Sequence, residues 1–144
     1  MSLSCNHCAE PACVAACPTG AMQKDAETGL VFTDKEACIG CMSCQKACPY
    51  DAPRLNEELS VSRKCDGCIA RVKAGKQPIC VESCPMRALE FGDVEELREK
   101  YGDLDQIEPM PEPSTAPSLV LKACSAVDAA ATDTPFLANP LEVE

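Results

Sequence analysis

Apolar and polar residues alternate along this chain only over short stretches, which cysteine-rich segments separate. Two such stretches, residues 21–24 and 30–33, flank a turn that ends at Gly29, and glycine tolerates the backbone conformations that tight turns require. This pattern predicts a hairpin of two short strands. A second hairpin is predicted from the arms 54–56 and 61–63.

A short helix is predicted near residue 100. Asp93 is a suitable N-cap and Gly102 a suitable stop, so the residues between them predict a helix that runs to about Tyr101. Immediately before this helix, residues 88–91 predict one more strand. Each of the three cysteine-rich segments is expected to form a loop that carries most of its cysteines, followed by a helical turn that ends at a Cys-Pro pair.

The chain changes character after residue 101. Six of its twelve prolines lie in the segment 102–144, among Ala, Ser and Thr, and no hydrophobic period continues there. We therefore divide the chain into a cysteine-rich domain, residues 1–101, and an extended Pro/Ala-rich arm, residues 102–144. The arm is expected either to stay mobile or to lie along another subunit.

Composition points to metal rather than to an ordinary apolar core. The 144 residues include no Trp, two Tyr and three Phe, but thirteen Cys. An odd number of cysteines cannot all pair, and so many free thiols fit assembly in a reducing compartment. The net charge of −10 argues against nucleic-acid binding. No apolar run approaches the roughly 20 residues that cross a bilayer, and no signal peptide is visible.

Residues 38–49 carry the spacing C-x2-C-x2-C-x3-C-P, which is known from bacterial iron–sulfur proteins. Its first three cysteines lie on a loop short enough to bind three corners of a cubane cluster. The fourth, Cys48, follows about one helical turn later and points away, so it is free to reach a second cluster. Residues 5–18 supply the partner motif, C-x2-C-x4-C-x3-C-P.

Cross-ligation of two [4Fe-4S] clusters follows from this geometry. The first cluster is expected to be held by Cys5, Cys8, Cys13 and Cys48. The second cluster is expected to be held by Cys38, Cys41, Cys44 and Cys17.

A third motif, C-x2-C-x11-C-x3-C-P, consists of Cys65, Cys68, Cys80 and Cys84. Taken alone, these four thiolates would also suit a tetrahedral zinc site. Disulfides are disfavoured for the other motifs, because cysteines at x2 spacing on one loop pair poorly with each other.

Three further groups of residues raise alternatives. His7 lies between two predicted ligands, and we expect it to hydrogen-bond backbone or a cluster sulfur rather than to bind iron. Cys124 has no cysteine neighbour and is expected to be a free thiol. The basic residues concentrated at 63–76 form either a solvated loop or a docking face whose charge favours a reduced cluster; they are Arg63, Lys64, Arg71, Lys73 and Lys76.

With these motifs in view, the chain resembles the iron–sulfur (B) subunits of the dimethyl sulfoxide reductase family of molybdenum oxidoreductases. The resemblance covers residues 3–101 and includes C-N-H-C at 5–8, C-I-G-C at 38–41, C-D-G-C at 65–68 and G-K-Q-P-I-C-V-E-S-C-P at 75–85. The sequence L-A-N-P at 137–140 is also similar. Some relatives carry Trp at the position of Cys41 and hold a three-iron cluster, so Cys41 favours four irons.

The resemblance implies electron transfer between a quinol-oxidising membrane anchor subunit and a molybdopterin-containing catalytic subunit. It also implies association with a bacterial inner membrane through those partners, with neither a small-molecule substrate nor catalysis by this chain. Family members have four cysteine motifs, and the fourth would precede Met1, so the chain is expected to be a truncated or internally initiated form. By analogy Cys65, Cys68 and Cys80 would hold a cluster completed from that segment, and Cys84 would bind the segment's own cluster.

The sequence thus predicts an α+β, ferredoxin-like, multi-cluster [4Fe-4S] fold with short hairpins and short helices. The predicted function is one-electron transfer through two [4Fe-4S] clusters. Three possibilities stay open for the third motif: an incomplete cluster site, a zinc site, or a cluster whose fourth ligand is Cys84. Two other functions stay in view, a zinc-binding adaptor module and an independent soluble polyferredoxin.

Overall fold

The structure is a computed structural model, and it describes residues 4–107 and 110–122. In chain order, the elements in these two ranges are α1 (Ala12–Ala15), β1 (Met22–Lys24), β2 (Val31–Thr33), α2 (Ser43–Ala47), β3 (Arg54–Asn56), β4 (Val61–Arg63), α3 (Ile69–Lys73), α4 (Ile79–Glu82) and α5 (Val94–Tyr101). None of the helices in these ranges has the length and apolar character needed to cross a membrane.

Both predicted hairpins are confirmed. β1 pairs antiparallel with β2, and β3 pairs antiparallel with β4. In the turn of the first hairpin, the Asp25 carboxylate accepts hydrogen bonds from the Thr28 amide at 2.9 Å and the Thr28 hydroxyl at 2.7 Å. Gly29 follows with φ of 69°, in the left-handed region that glycine adopts without strain. Two small antiparallel sheets among short helices make this an α+β fold, as predicted.

The helical turns before each Cys-Pro pair are also present. α1, α2 and α4 each end one or two residues before the motif's last cysteine. α1 packs against α2 and against β1, which brings the first two motifs together. α3 was not predicted, and it follows directly after Cys68.

The strand predicted at 88–91 is wrong. The structure has no strand there, because the segment finds no partner strand within the described residues. Its backbone instead turns toward the sulfur of Cys84. The N–H of Ala88, followed by those of its neighbours, holds the pKa of Cys84 below the usual thiol value.

The buried core contains predicted cluster ligands. Cys13 from α1 and Cys44 from α2 are buried together with Met22 and Val31 of the first hairpin. Cys17 is partly buried against this group. Packing and cofactor binding therefore depend on the same residues.

The helix predicted after Asp93 is confirmed as α5. The Asp93 carboxylate accepts hydrogen bonds from the amides of Glu95 at 2.9 Å and Glu96 at 3.4 Å, which satisfies two of the donors left free at a helix start. Gly102 ends the helix with φ of 94°.

Replacing Asp93 with Ala is expected to destabilise α5 by about 1 kcal/mol, the usual cost of losing an N-cap. Amide hydrogen exchange in α5 should quicken about fivefold, while exchange in the two hairpins stays unchanged. Asp93→Asn keeps the capping oxygen and serves as the control. Equal protection in wild type and Asp93→Ala would contradict a capping role.

The first part of the arm contacts the domain itself. Residues 110–122 pack on the ligand loop of the first motif. The Ala9 amide donates to the Ala116 carbonyl at 2.7 Å, and the Ser118 amide donates to the Asn6 carbonyl at 3.0 Å. Cys124 and the sequence at 137–140 lie outside the described residues.

Candidate iron–sulfur sites

Each cysteine motif contains a non-glycine residue in the left-handed backbone region. These are His7 in the first motif, Met42 in the second and Cys68 in the third, with φ of 44°, 57° and 53°. Such conformations cost free energy and persist where the surroundings impose them. Here they turn the backbone sharply within each cysteine motif.

The second site is a cavity whose lining includes Cys17, Cys38, Cys41 and Cys44. Three of these thiols come from the second motif and one from the end of the first. This is the set that the sequence predicted for the second cluster, so the arrangement supports crossed ligation. Cys41 is exposed and Cys44 is buried, which places the cavity between the solvent and the core.

Hydrogen-bond donors already point at sulfurs of the second site. The Met22 amide donates to Cys17 at 3.4 Å, and the Ser62 amide donates to Cys38 at 3.3 Å. The Ser62 hydroxyl lies 3.3 Å from the Cys44 sulfur. Iron-ligating cysteines are thiolates, which only accept hydrogen bonds, so these donors suit a loaded site.

The first site gathers around Cys13. Burial, followed by the nearby thiol of Cys5, raises the pKa of Cys13 to about 11; the charge of Lys64 opposes this rise, and the thiols of Cys48 and Cys8 add to it. These four cysteines are the predicted ligands of the first cluster. Their mutual influence supports their grouping at one site, where binding to iron would require them to lose their protons.

Three buried polar atoms near the first motif make no hydrogen bond to the described residues. They are Asn6 Nδ2, His7 Nε2 and the Tyr50 hydroxyl. All three carry a hydrogen when neutral, and buried donors without partners are costly. Asn6 and His7 lie between Cys5 and Cys8, so cluster sulfur is a suitable acceptor for donors at this position. The residues present therefore fit a [4Fe-4S] cluster.

His7 is held by backbone, as expected. Its Nδ1 accepts a hydrogen bond from the Val31 amide at 2.9 Å. Burial, followed by the charge of Lys64, lowers the pKa of His7 to about 4, so the ring is neutral with its proton on Nε2.

The basic residues at 63–76 are mostly bonded within the chain. The Arg71 guanidinium pairs with Glu82 at 2.5 Å, and the Lys73 ammonium pairs with Asp25 at 2.5 Å. The Lys64 ammonium donates to the carbonyls of Val31 and Cys65. Two of the five cations, Lys64 and Lys73, therefore tie the third motif to the first hairpin, and Arg71 is paired within the motif itself, which weakens the hypothesis of a docking face.

The cysteines of the third motif lie nearer the surface. Cys65 and Cys80 are exposed, and Cys68 and Cys84 are half-buried. None of the twelve cysteines in the described ranges forms a disulfide.

A single metal ion fits these sites less well than a multi-atom group. Thiolates on one zinc ion lie about 3.8 Å apart, given a Zn–S distance of about 2.3 Å. Among the described residues, no group of three or more His, Cys, Asp or Glu side chains is placed to hold one ion. The thiols of the second site surround a cavity instead, as a cluster requires.

The sequence is similar to those of known iron–sulfur proteins. Residues 1–94 match the family described as 4Fe-4S dicluster domain. Two relatives from Escherichia coli are the probable anaerobic dimethyl sulfoxide reductase subunit YnfG, at 53% identity, and the B subunit of anaerobic dimethyl sulfoxide reductase, at 51%; each match covers 99% of this chain and 70% of the relative. The thiosulfate reductase electron transfer subunit PhsB of Salmonella typhi is 46% identical, over 65% of this chain and 49% of that relative.

Proposed function

This protein belongs to the 4Fe-4S dicluster domain family, and from that premise we propose that it carries electrons within a respiratory oxidoreductase complex. The proposed path runs from a quinol-oxidising membrane anchor subunit to a molybdopterin-containing catalytic subunit of the dimethyl sulfoxide reductase type. A [4Fe-4S] cluster supplies a one-electron redox centre when it is bound. The chain itself conducts electrons and performs no substrate chemistry.

The observation that carries this proposal is the joint lining of one cavity by Cys17, Cys38, Cys41 and Cys44. Because the last cysteine of the first motif lies at the site of the second motif, the two proposed redox centres are held in one domain. The packing of α1 against α2 supports the same arrangement. Two centres held at a fixed separation are what electron transfer across a subunit needs.

The chain's residues hold and shield the two sites unequally. Cys13 and Cys44 are buried, whereas Cys41 faces the solvent. Ile39 also lines the cavity of the second site and is 65% exposed, and Leu55 and Leu59 are exposed as well. Exposed apolar side chains of this kind are typical of protein contacts. They support the proposal that a partner subunit covers the second site, and that membrane association arises through partners.

We also propose that the third motif is a further iron–sulfur site, formed by Cys65, Cys68, Cys80 and Cys84. The N–H groups directed at the Cys84 sulfur support a thiolate there, because donors to a sulfur favour its charged form.

The deciding experiment is the iron, sulfide and zinc content of anaerobically purified protein, followed by electron paramagnetic resonance after dithionite reduction. Two loaded sites predict about eight irons per chain and the signals of two interacting clusters. About twelve irons would mean that the third motif also completes a cluster. A colourless protein with zinc and little iron would refute the proposal in favour of a zinc-binding adaptor.

A further inference from the structure

A segment far along the chain closes over the first site. We call residues 110–122 the C-terminal strap. It lies across the loop between Cys5 and Cys13 and is bonded to it through backbone and side-chain groups. The bonds are Ala9 N–H to Ala116 O at 2.7 Å, Glu10 N–H to Thr115 O at 3.2 Å, Ser118 N–H to Asn6 O at 3.0 Å and Ser118 hydroxyl to His7 O at 3.0 Å.

The strap is well packed where it meets this loop. Thr115 is 6% exposed, and the Pro117 side chain is fully buried. Met110, at the start of the strap, is buried too. Water is therefore excluded from this side of the first motif by residues that lie far later in the sequence.

One atom of the strap contacts a predicted ligand directly. The Thr115 hydroxyl donates a hydrogen bond to the Cys8 sulfur at 3.1 Å. Backbone hydrogen bonds on either side fix the position of Thr115. Its side chain is therefore held close to the Cys8 sulfur. A thiolate bound to iron has no proton to give, and the hydroxyl must then be the donor.

We propose that Thr115 sets the reduction potential of the first site through its hydrogen bond to the Cys8 sulfur. This inference rests on the proposed electron-transfer function and adds a residue from outside the cysteine motifs to it. A hydrogen bond withdraws charge from the ligating sulfur, and so stabilises the reduced, more negative state. Thr115 is a positioning residue, since it acts on the centre only through Cys8.

The second site contains a hydroxyl in a similar position, which allows the effect of Thr115 to be assigned to the first site alone. There the Ser62 hydroxyl lies 3.3 Å from the Cys44 sulfur, and Ser62 is 3% exposed. Each site thus has one buried hydroxyl on one ligand sulfur. The two hydroxyls come from unrelated parts of the chain, so the two potentials are adjusted separately.

The test is a redox titration of anaerobically purified full-length protein, monitored by electron paramagnetic resonance. Thr115→Val removes the hydroxyl but keeps the shape, so burial is unchanged. We expect one midpoint potential to fall by about 59 mV, the equivalent of a tenfold change for one electron, and the other to stay fixed. Thr115→Ser keeps the hydroxyl and should restore the wild-type potential. Ser62→Ala should lower the other potential instead.

Several results would overturn the inference. These are unchanged potentials in Thr115→Val, an equal shift of both, or a shift of the same potential by Thr115→Val and Ser62→Ala. If Thr115→Val binds less iron than wild type, Thr115→Ala is titrated in its place, and an unchanged potential there counts against the inference equally. Wild-type protein without iron would instead refute the proposed function, and the inference with it. Normal iron content with unmoved potentials would refute the inference alone.

Discussion

Replacing Cys48 with Ala removes one [4Fe-4S] cluster and leaves the other, so that iron falls from about eight to between about four and seven atoms per chain. The cluster lost is expected to be the one held by the first motif, although Cys48 belongs to the second. The reason is the position of the Cys48 thiol, which lies close enough to Cys13 to raise its pKa, together with Cys5 and Cys8. A site with three thiolates does not hold four irons firmly and keeps at most three.

Matched variants decide whether ligation is crossed. Cys48→Ala and Cys8→Ala should abolish the same paramagnetic signal. Cys17→Ala and Cys41→Ala should both abolish the other signal, because Cys17 and Cys41 line one cavity. If Cys48→Ala removed the signal that Cys41→Ala removes, each motif would bind its own cluster and the assignment would be wrong.

Replacing Gly40 with Ala is expected to abolish the second site. Gly40 has φ of 69°, and a Cβ placed there would lie 2.3 Å from the Ser60 carbonyl oxygen, closer than side-chain carbons approach backbone. The chain would have to push the turn before β4 away from the ligand loop. That movement would separate the Ser62 amide from the Cys38 sulfur, which it contacts at 3.3 Å.

Gly75 provides a matched control for this substitution. Its φ of 71° is nearly the same, but no atom lies within 4 Å of an added Cβ. Gly75→Ala should cost only the left-handed strain, about 1 kcal/mol, and keep full iron content. Gly40→Ala should cost about 1–3 kcal/mol more through overpacking, enough to empty the second site.

The measurements are iron per chain and the rate at which absorbance near 400 nm is lost in denaturant. Similar iron content and similar rates for the two variants would mean that the Gly40 approach to Ser60 is unimportant.

Local signals in the sequence predicted the hairpins and α5 well. Gly29 marks a turn that only a permissive backbone makes easily, and Asp93 with Gly102 marks both ends of a helix. The arms of the second hairpin were predicted with their observed bounds. These features depend on neighbours within a few residues, which a single sequence displays.

Features that depend on distant partners were missed. Residues 88–91 have the composition of a strand, but whether they pair depends on the rest of the fold, and the N–H groups of Ala88 and Leu89 instead lower the pKa of Cys84. The contact between Thr115 and Cys8 joins residues separated by 107 positions, and neither residue carries a local sign of it. Ser62 was likewise assigned only to a strand, because its contact with Cys44 joins residues 18 positions apart in the sequence.

The burial of cluster ligands in the core has a consequence for how much of this protein a cell contains. Cys13 and Cys44 pack with Met22 and Val31, so a chain without its clusters loses the iron–sulfur bonds that would cross-link the centre of its own core. Metal binding then supplies folding free energy, and we expect the unloaded chain to populate open forms that proteases cleave. We therefore expect iron supply to change the abundance of this protein through its lifetime, even when its rate of synthesis is constant.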